Sequence, residues 1–202
     1  MIAVKGVVFD IGNVIVRWNP STLYEKVIPD TAAREHFLTN VCSMAWHTAH
    51  DTGVTFADNR APLLELFPQH AAEILAWEQR WPEMFSGPIA ETESAIEALA
   101  GRGVPMFGLT NMSHETDLAT FAMSPAFGHL RDIVVSARVG LMKPDPRIFA
   151  LSAQRAGMAP GELLFIDDSV RNIEAAAAAG FDVHHFVDPA ALWPALQARG
   201  LL

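Results

Sequence analysis

The pattern of residue types along this chain predicts an α/β fold: a five-stranded parallel sheet with helices on both faces, and a small helical unit inserted after the first strand. Three observations carry that expectation. Five short apolar runs rich in β-branched and aromatic residues are bounded by turn signals or polar ends. Helical patterns follow or separate them, and strands that alternate with helices build a parallel sheet covered on both faces. One stretch, residues 18–87, breaks the alternation with helical periodicity and no convincing strand.

The first run, VKGVVFD (4–10), ends on a bare carboxylate, Asp10, after which the chain turns through Ile11, Gly12 and Asn13. A carboxylate at the edge of an apolar strand is costly unless something pairs with it, so the other strands should supply a partner. The inserted stretch contains TAAREHFLTNVCSMAWHTA and HAAEILAWEQRW, both helical in spacing, and WPEMFSGP reads as its return linker. The expected division is therefore a core of 1–17 with 88–202 and an insertion of 18–87. IAETESAIEALAGRG (89–103) has acids early and Arg-Gly at its stop, as a helix should. The strand VPMFGLT (104–110) leads to a helix expected to start from Ser113, and DIVVS (132–136) to one starting from Asp145. ELLFID (162–167) leads to one starting from Ser169; all three starters are good N-cap residues. The alanines at 175–179, between Glu174 and Gly180, form a helix face. DVHHFV (182–187) is the fifth strand, and DPAALWPALQARG closes the chain as a helix that Pro194 should disturb.

Composition narrows the function classes. Of 202 residues half are apolar and 18% are charged, an ordinary globular balance for one large domain or a domain with an insertion. A formal net charge of −9 without Lys/Arg clusters argues against nucleic acid and against an anionic membrane surface as partners. The single cysteine, Cys42, allows no internal disulfide or Cys-rich metal site and reads as a small buried apolar group. The opening MIAVKGVVFD is too short an apolar run for a signal peptide and no later run approaches a membrane span, which together point to a cytoplasmic enzyme or binding protein.

In an open parallel sheet the ligand crevice lies beyond the carboxyl ends of the strands. Strand one ends in Asp10, strand two in Thr110-Asn111 and strand four in Asp167-Asp168-Ser169, while Lys143 precedes Pro144 after strand three and so lies outside the next helix. Three carboxylates, a hydroxyl, a carboxamide and a lysine can converge on one rim. Asp10 could attack phosphorus and form an aspartyl phosphate, dividing a hard hydrolysis into two easier steps. Three acids in one place call for a hard divalent cation, and Mg²⁺ takes oxygen ligands of this kind. Lys143 would offset charge on nucleophile and phosphoryl group, and Thr110 with backbone amides would hold phosphoryl oxygens.

VVFDIGNVIV (7–16), GLTNMS (108–113), GLMKPDPRIF (140–149) and LFIDDSVRNIEAAAAAG (164–180) together resemble the four ordered motifs of the haloacid dehalogenase superfamily. They span nearly the whole chain, and the helical insertion falls where that superfamily's class I cap sits. The nearest pattern is that of a small bacterial phosphatase-like group. The resemblance implies a Rossmann-like core and a hydrolase of phosphate monoesters. It implies Asp10 as nucleophile and metal ligand, and Gly12 as donor of a backbone carbonyl to the metal. Thr110 matches the phosphoryl-binding hydroxyl, with Asn111 beside it on the substrate, and Lys143 matches the motif lysine. Asp168 matches a direct metal ligand, Asp167 a direct or water-mediated one, and Asn172 a group that orients its neighbours.

One departure stands out. Most phosphatases of that superfamily carry an aspartate as general acid and base two residues after the nucleophile, where this chain has Gly12. Three accounts stay open: a phosphatase that uses water, a cap residue such as His47 or His50, or an acidic leaving group; a metal-independent 2-haloacid dehalogenase using the same aspartate; and a catalytically weak protein that binds a phosphorylated ligand. Without a cation, adjacent Asp167 and Asp168 would repel each other near the nucleophile, which favours the phosphatase. The expected ligand is a small phosphorylated metabolite, and an exposed apolar cap face could support a homodimer. Trp18 could wall the pocket; Trp46, Trp77 and Trp81 read as core or cap-interface residues, Ser169 as a helix cap, and His184 with His185 as too far along the sheet for a metal pair.

Overall fold

The structure, a computed structural model, describes residues 3–202, so Met1 and Ile2 of the expected core lie outside the described residues. In chain order the strands are β1 (Gly6–Phe9), β2 (Val16–Trp18), β3 (Phe85–Pro88), β4 (Met106–Thr110), β5 (Ile133–Val135), β6 (Leu163–Asp167) and β7 (Asp182–His185). Five of them form one sheet in the order β5-β4-β1-β6-β7, with every neighbouring pair parallel. These are the five strands read from the sequence. The order puts β1 in the centre, so the residue after its tip, Asp10, lies between the tips of β4 and β6. Neighbouring parallel strands are about 4.8 Å apart, which is why three sequence-distant tips become one site.

Alternation along the strands divides the core into two layers. Val7, Phe9, Leu164 and Ile166 face one side and pack with Ile96, Leu99, Leu192 and Leu196. Val8, Leu109 and Phe165 face the other and pack with Ile148, Phe149 and Ala176. A strand buried on both faces has no polar alternation to show, and the sequence of β1 has none. At Gly108 a Cβ would come within 2.9 Å of Ile133, so the close approach of β4 to β5 requires glycine there.

The helices that follow β2 are α1 (Pro20–Val27), α2 (Thr31–Asn40), α3 (Met44–Asp51), α4 (Phe56–Leu66) and α5 (Ala71–Gln79). They enclose a separate core in which Leu23, Tyr24, Phe37, Cys42, Ile74 and Trp77 are buried. Burial pushes the Cys42 thiol up to about 12, in keeping with an inert packing role. The remaining helices are α6 (Ala90–Gly101), α7 (Asp117–Phe121), α8 (Ser136–Val139), α9 (Pro146–Ala156), α10 (Val170–Ala178) and α11 (Leu192–Gln197).

Four local expectations are corrected. The stretch read as strandless, with a return linker, is bounded by an antiparallel ribbon in which Val16 pairs with Pro88 and Trp18 with Phe85. Two strands this short carry no readable period, and their pairing partner lies at the far end of the insertion. The helix expected from Ser113 begins only at Asp117, because the Ser113 hydroxyl accepts from Glu115 N in a preceding turn. Ser169 sits at the N-cap position of α10 without a side-chain cap; its N–H instead donates to Asp167 Oδ1 at 2.8 Å. Pro194 lies in the first turn of α11, where a backbone N–H has no helical partner to lose.

Phe165 is fully buried and meets the Phe149 ring edge-on at a centroid distance of 5.4 Å. Phe165→Ala should lower the unfolding free energy by about 3–5 kcal/mol in a denaturant titration; a loss under about 1 kcal/mol would contradict this central packing.

Candidate active site

The backbone of β1 continues past Phe9 long enough for Asp10 N to donate to Ile166 O at 2.9 Å, which locks Asp10 onto the end of β6. Ile11 N donates to Asp10 Oδ1 at 2.7 Å. The chain then reverses, with Ile15 N reaching back to Ile11 O, and Asn13 takes a positive φ of 57°. Asn tolerates that conformation better than most residues, and its Oδ1 accepts from Trp18 N at 3.0 Å to close the turn.

Lys143 enters from the loop between α8 and α9. Its backbone is gripped by Asn111: Lys143 N donates to Asn111 Oδ1 at 2.8 Å and Asn111 Nδ2 donates to Lys143 O at 2.9 Å. The ammonium then lies 2.8 Å from Asp10 Oδ1 and 2.7 Å from Asp167 Oδ2. Burial works against the charge on Lys143, but Asp10 and Asp167 outweigh it and hold the ammonium above the ordinary lysine range. Asn111 was expected on the substrate; its carboxamide is engaged instead in positioning Lys143, although it also borders the cavity described below.

The carboxylates divide by what already binds them. Asp167 is fully buried and accepts from Lys143, from Ser169 N and from Asn172 Nδ2, the last at 3.0 and 3.1 Å. Asn172 thus orients its neighbour, as the sequence suggested. Asp168 is exposed, and burial of its carboxyl together with the nearby charge of Asp167 raises its pKa. Asp10 is raised by burial, with Asp167 adding to the rise and Lys143 opposing it. One oxygen from each of Asp10, Asp167 and Asp168 falls within 4.8 Å of the other two. Three carboxylates against one ammonium leave an excess of negative charge, and an all-oxygen donor set of this kind fits a hard divalent cation. Asp167, with both oxygens taken, fits the part of an orienting group better than that of a direct ligand; Asp10 and Asp168 have the freer oxygens.

Thr110, at the tip of β4, is buried, and its hydroxyl reaches only the Asn111 carbonyl at 3.5 Å, the outer limit of a hydrogen bond. It is therefore available to a ligand. A cavity of about 130 Å³ opens there, lined by Gly12, Thr110, Trp18, Trp81, and His47 and Asp51 of α3. A Cβ on Gly12 would meet nothing within 4 Å, so space alone does not explain the missing side chain.

Burial lowers the pKa of both histidines proposed from the sequence. His47 lines the cavity and packs against both the Trp18 and Trp81 rings, at centroid distances of 5.2 and 5.9 Å; burial, then His50, pushes its pKa down to about 3. His50 is fully buried, with its ring nitrogens against Val54 O and Asn59 Nδ2, and burial lowers its pKa as well. The residue that sequence reasoning missed is Asp51. Its only signal is a spacing of four from His47, which puts both on one helix face. Asp51 is buried, its Oδ1 has no hydrogen-bond partner, and burial pushes the carboxyl up to about 7 while Lys143 pulls it down. His185, by contrast, donates from Nε2 to Asp168 O at 3.0 Å, at the outer edge of the site.

A family model described as haloacid dehalogenase-like hydrolase matches residues 4–180. Among curated proteins, the sesquiterpene phosphatase astK of Aspergillus oryzae is 24% identical over 194 residues, covering 91% of this chain and 90% of that protein. The (S)-2-haloacid dehalogenase of Pseudomonas putida is 30% identical over 99 residues, 48% of this chain and 42% of the relative. Across the curated relatives the share of the relative's own length that is matched runs from 8% to 90%. A Bacteroides thetaiotaomicron HAD family enzyme crystallised with magnesium and inorganic phosphate superposes with a TM-score of 0.71 at 20% identity, over 94% of this chain and 99% of that one.

Because folded Asp51 keeps its proton to about pH 7 and an unfolded aspartate gives it up near 3.8, the folded state binds more protons between those values. Stability contributed by this group is then fully present below the unfolded pKa and is lost as pH rises through the window. Asp51→Asn removes the effect, so its stability advantage over the wild type should widen from pH 4 to pH 7 in denaturant titrations with EDTA present; a constant difference would contradict the buried neutral carboxyl.

Proposed function

Because the chain belongs to the haloacid dehalogenase-like hydrolases, we propose that it is a Mg²⁺-dependent hydrolase of phosphate monoesters that acts on a small phosphorylated metabolite through an aspartyl-phosphate intermediate. The observation that carries this reading is the acid surplus at the sheet rim, three carboxylate oxygens within 4.8 Å beside a single buried ammonium. A dehalogenation at carbon has no need of such a surplus; a dianionic phosphoryl group can approach it only with the charge offset. Magnesium bound by Asp10, Asp168 and the Gly12 carbonyl would neutralise phosphoryl charge. No helix among the described residues is long and apolar enough to cross a membrane, which is compatible with a cytoplasmic setting.

The chain's own residues account for the remaining chemistry. Lys143 holds one Asp10 oxygen in place and favours the ionised nucleophile against the opposing effect of burial. Asp167, fixed by Asn172 and Ser169 N, keeps Lys143 charged and aimed. Asn111 positions Lys143 along its backbone, and the free Thr110 hydroxyl donates to a phosphoryl oxygen. The helical insertion acts as a cap, its aromatic residues excluding water from a leaving group of modest size. The fit of the chain to a phosphatase over 90% of the latter's length supports the same reading. The second reading, a 2-haloacid dehalogenase, is favoured by Gly12, which leaves the usual acid position empty, and by the similarity to a dehalogenase over about half of this chain.

Phosphate esters and 2-haloacids assayed side by side, with Mg²⁺ and with EDTA, separate the two. Phosphate release that EDTA abolishes is the expected result; halide release that EDTA leaves intact would establish the dehalogenase. Asp10→Asn should lower turnover by about 10³-fold or more in the same assay, with the fold retained by circular dichroism, and substantial residual hydrolysis would reject Asp10 as nucleophile.

A further inference from the structure

The geometry points to Asp51, on the helical insertion, as the group that protonates the leaving oxygen and then activates water, in place of the acid that Gly12 cannot provide. The inference rests on the phosphatase reading and adds a catalytic residue to it. Asp51, Gly12 and Thr110 line the same cavity. The Asp51 Oδ1 is buried and has no hydrogen-bond partner. Its backbone is fixed to the core, since Ser136 Oγ donates to Asp51 O at 2.7 Å and Gly53 packs on the Ala137 carbonyl with no room to spare. The carboxyl is therefore held over the site by a cap–core clamp, not carried on a free loop. His47, with its Nε2 4.0 Å from Asp51 Oδ1, packs beside it as a ring in contact with both Trp18 and Trp81.

The proton balance closes with no further reagent. Asp10 forms a bond to phosphorus, the phosphorus–leaving-oxygen bond breaks, and the Asp51 proton passes to the departing alkoxide to give an alcohol. Asp51, now a carboxylate, takes a proton from water as that water attacks phosphorus. The bond from phosphorus to Asp10 breaks, releasing phosphate, and both aspartates return to their first states. Burial, which pushes the Asp51 carboxyl up to about 7, suits a group that must give and take a proton near neutrality.

Asp51→Asn keeps the shape of the neutral carboxyl and removes the transferable proton. With Mg²⁺ present, its kcat/KM for a simple alkyl phosphate should fall by about 10²-fold or more, and for 4-nitrophenyl phosphate, whose leaving group needs no proton, by under about tenfold. The variant should also show a stoichiometric burst of nitrophenol ahead of slow turnover. Equal losses on both esters, or none on either, would overturn the role of Asp51 and leave the phosphatase reading standing. A wild type that releases phosphate from neither ester would overturn the phosphatase reading and this inference with it. Should the variant not fold, the wild type alone decides: an alkyl ester hydrolysed with kcat/KM within about tenfold of the nitrophenyl ester supports proton donation, and a preference of about 10³-fold or more for nitrophenyl refutes it.

Discussion

A buried ammonium between two carboxylates fixes this structure's chemistry. Lys143 is almost wholly excluded from solvent, as is Asp167, and it joins the end of β6 to the residue after β1. Moving such charges from water is expensive, and the pairing recovers that cost only when the remaining lone pairs are also satisfied. Ser169 N and Asn172 satisfy those of Asp167, and Ile11 N one of those on Asp10. The ion pair is thus a device for holding geometry, with the Asn111 clamp on the lysine backbone as its second support. The arrangement of the rim follows from it, because it sets where the Asp10 carboxylate can point and how much negative charge remains beside it.

The insertion answers a different physical demand. A phosphoryl group bound at an open sheet edge would share its surroundings with water, and aromatic residues from two directions remove much of that water. Trp18 arrives on the short ribbon strand β2 and Trp81 from the turn before β3, so the ribbon that tethers the insertion also builds the cavity wall. The Trp18, His47 and Trp81 rings pack against one another in that wall. Within it burial pushes the carboxyl of Asp51 up to about 7, whereas burial lowers the pKa of both neighbouring histidines.

Much of the rim was legible because strand ends obey a simple rule. A short apolar run that stops at Asp10, Thr110 or Asp167 announces both a strand and the chemistry at its tip, and a parallel sheet sends all such tips to one edge. The helix starts were less legible. Ser113 and Ser169 are good capping residues, yet each is used for something else: one in a turn, the other to hand its N–H to Asp167. The histidine pair misled for a related reason. Imidazole titrates near neutrality in water, and burial among tryptophans removes that property without leaving a trace in the sequence.

The sequence by itself determined the α/β class, the five parallel strands, the helical insertion and the set of oxygen and nitrogen groups at one rim, because hydrophobic period and strand-end chemistry are local properties. Only the tertiary structure decided that Asp167 is buried and saturated while Asp168 is exposed, that Asn111 holds the lysine backbone, that β2 pairs with β3, and that Asp51 and Gly12 line one cavity. Each of these depends on contacts between residues far apart in the chain and on how much water those contacts exclude, and neither quantity is written in the spacing of residue types.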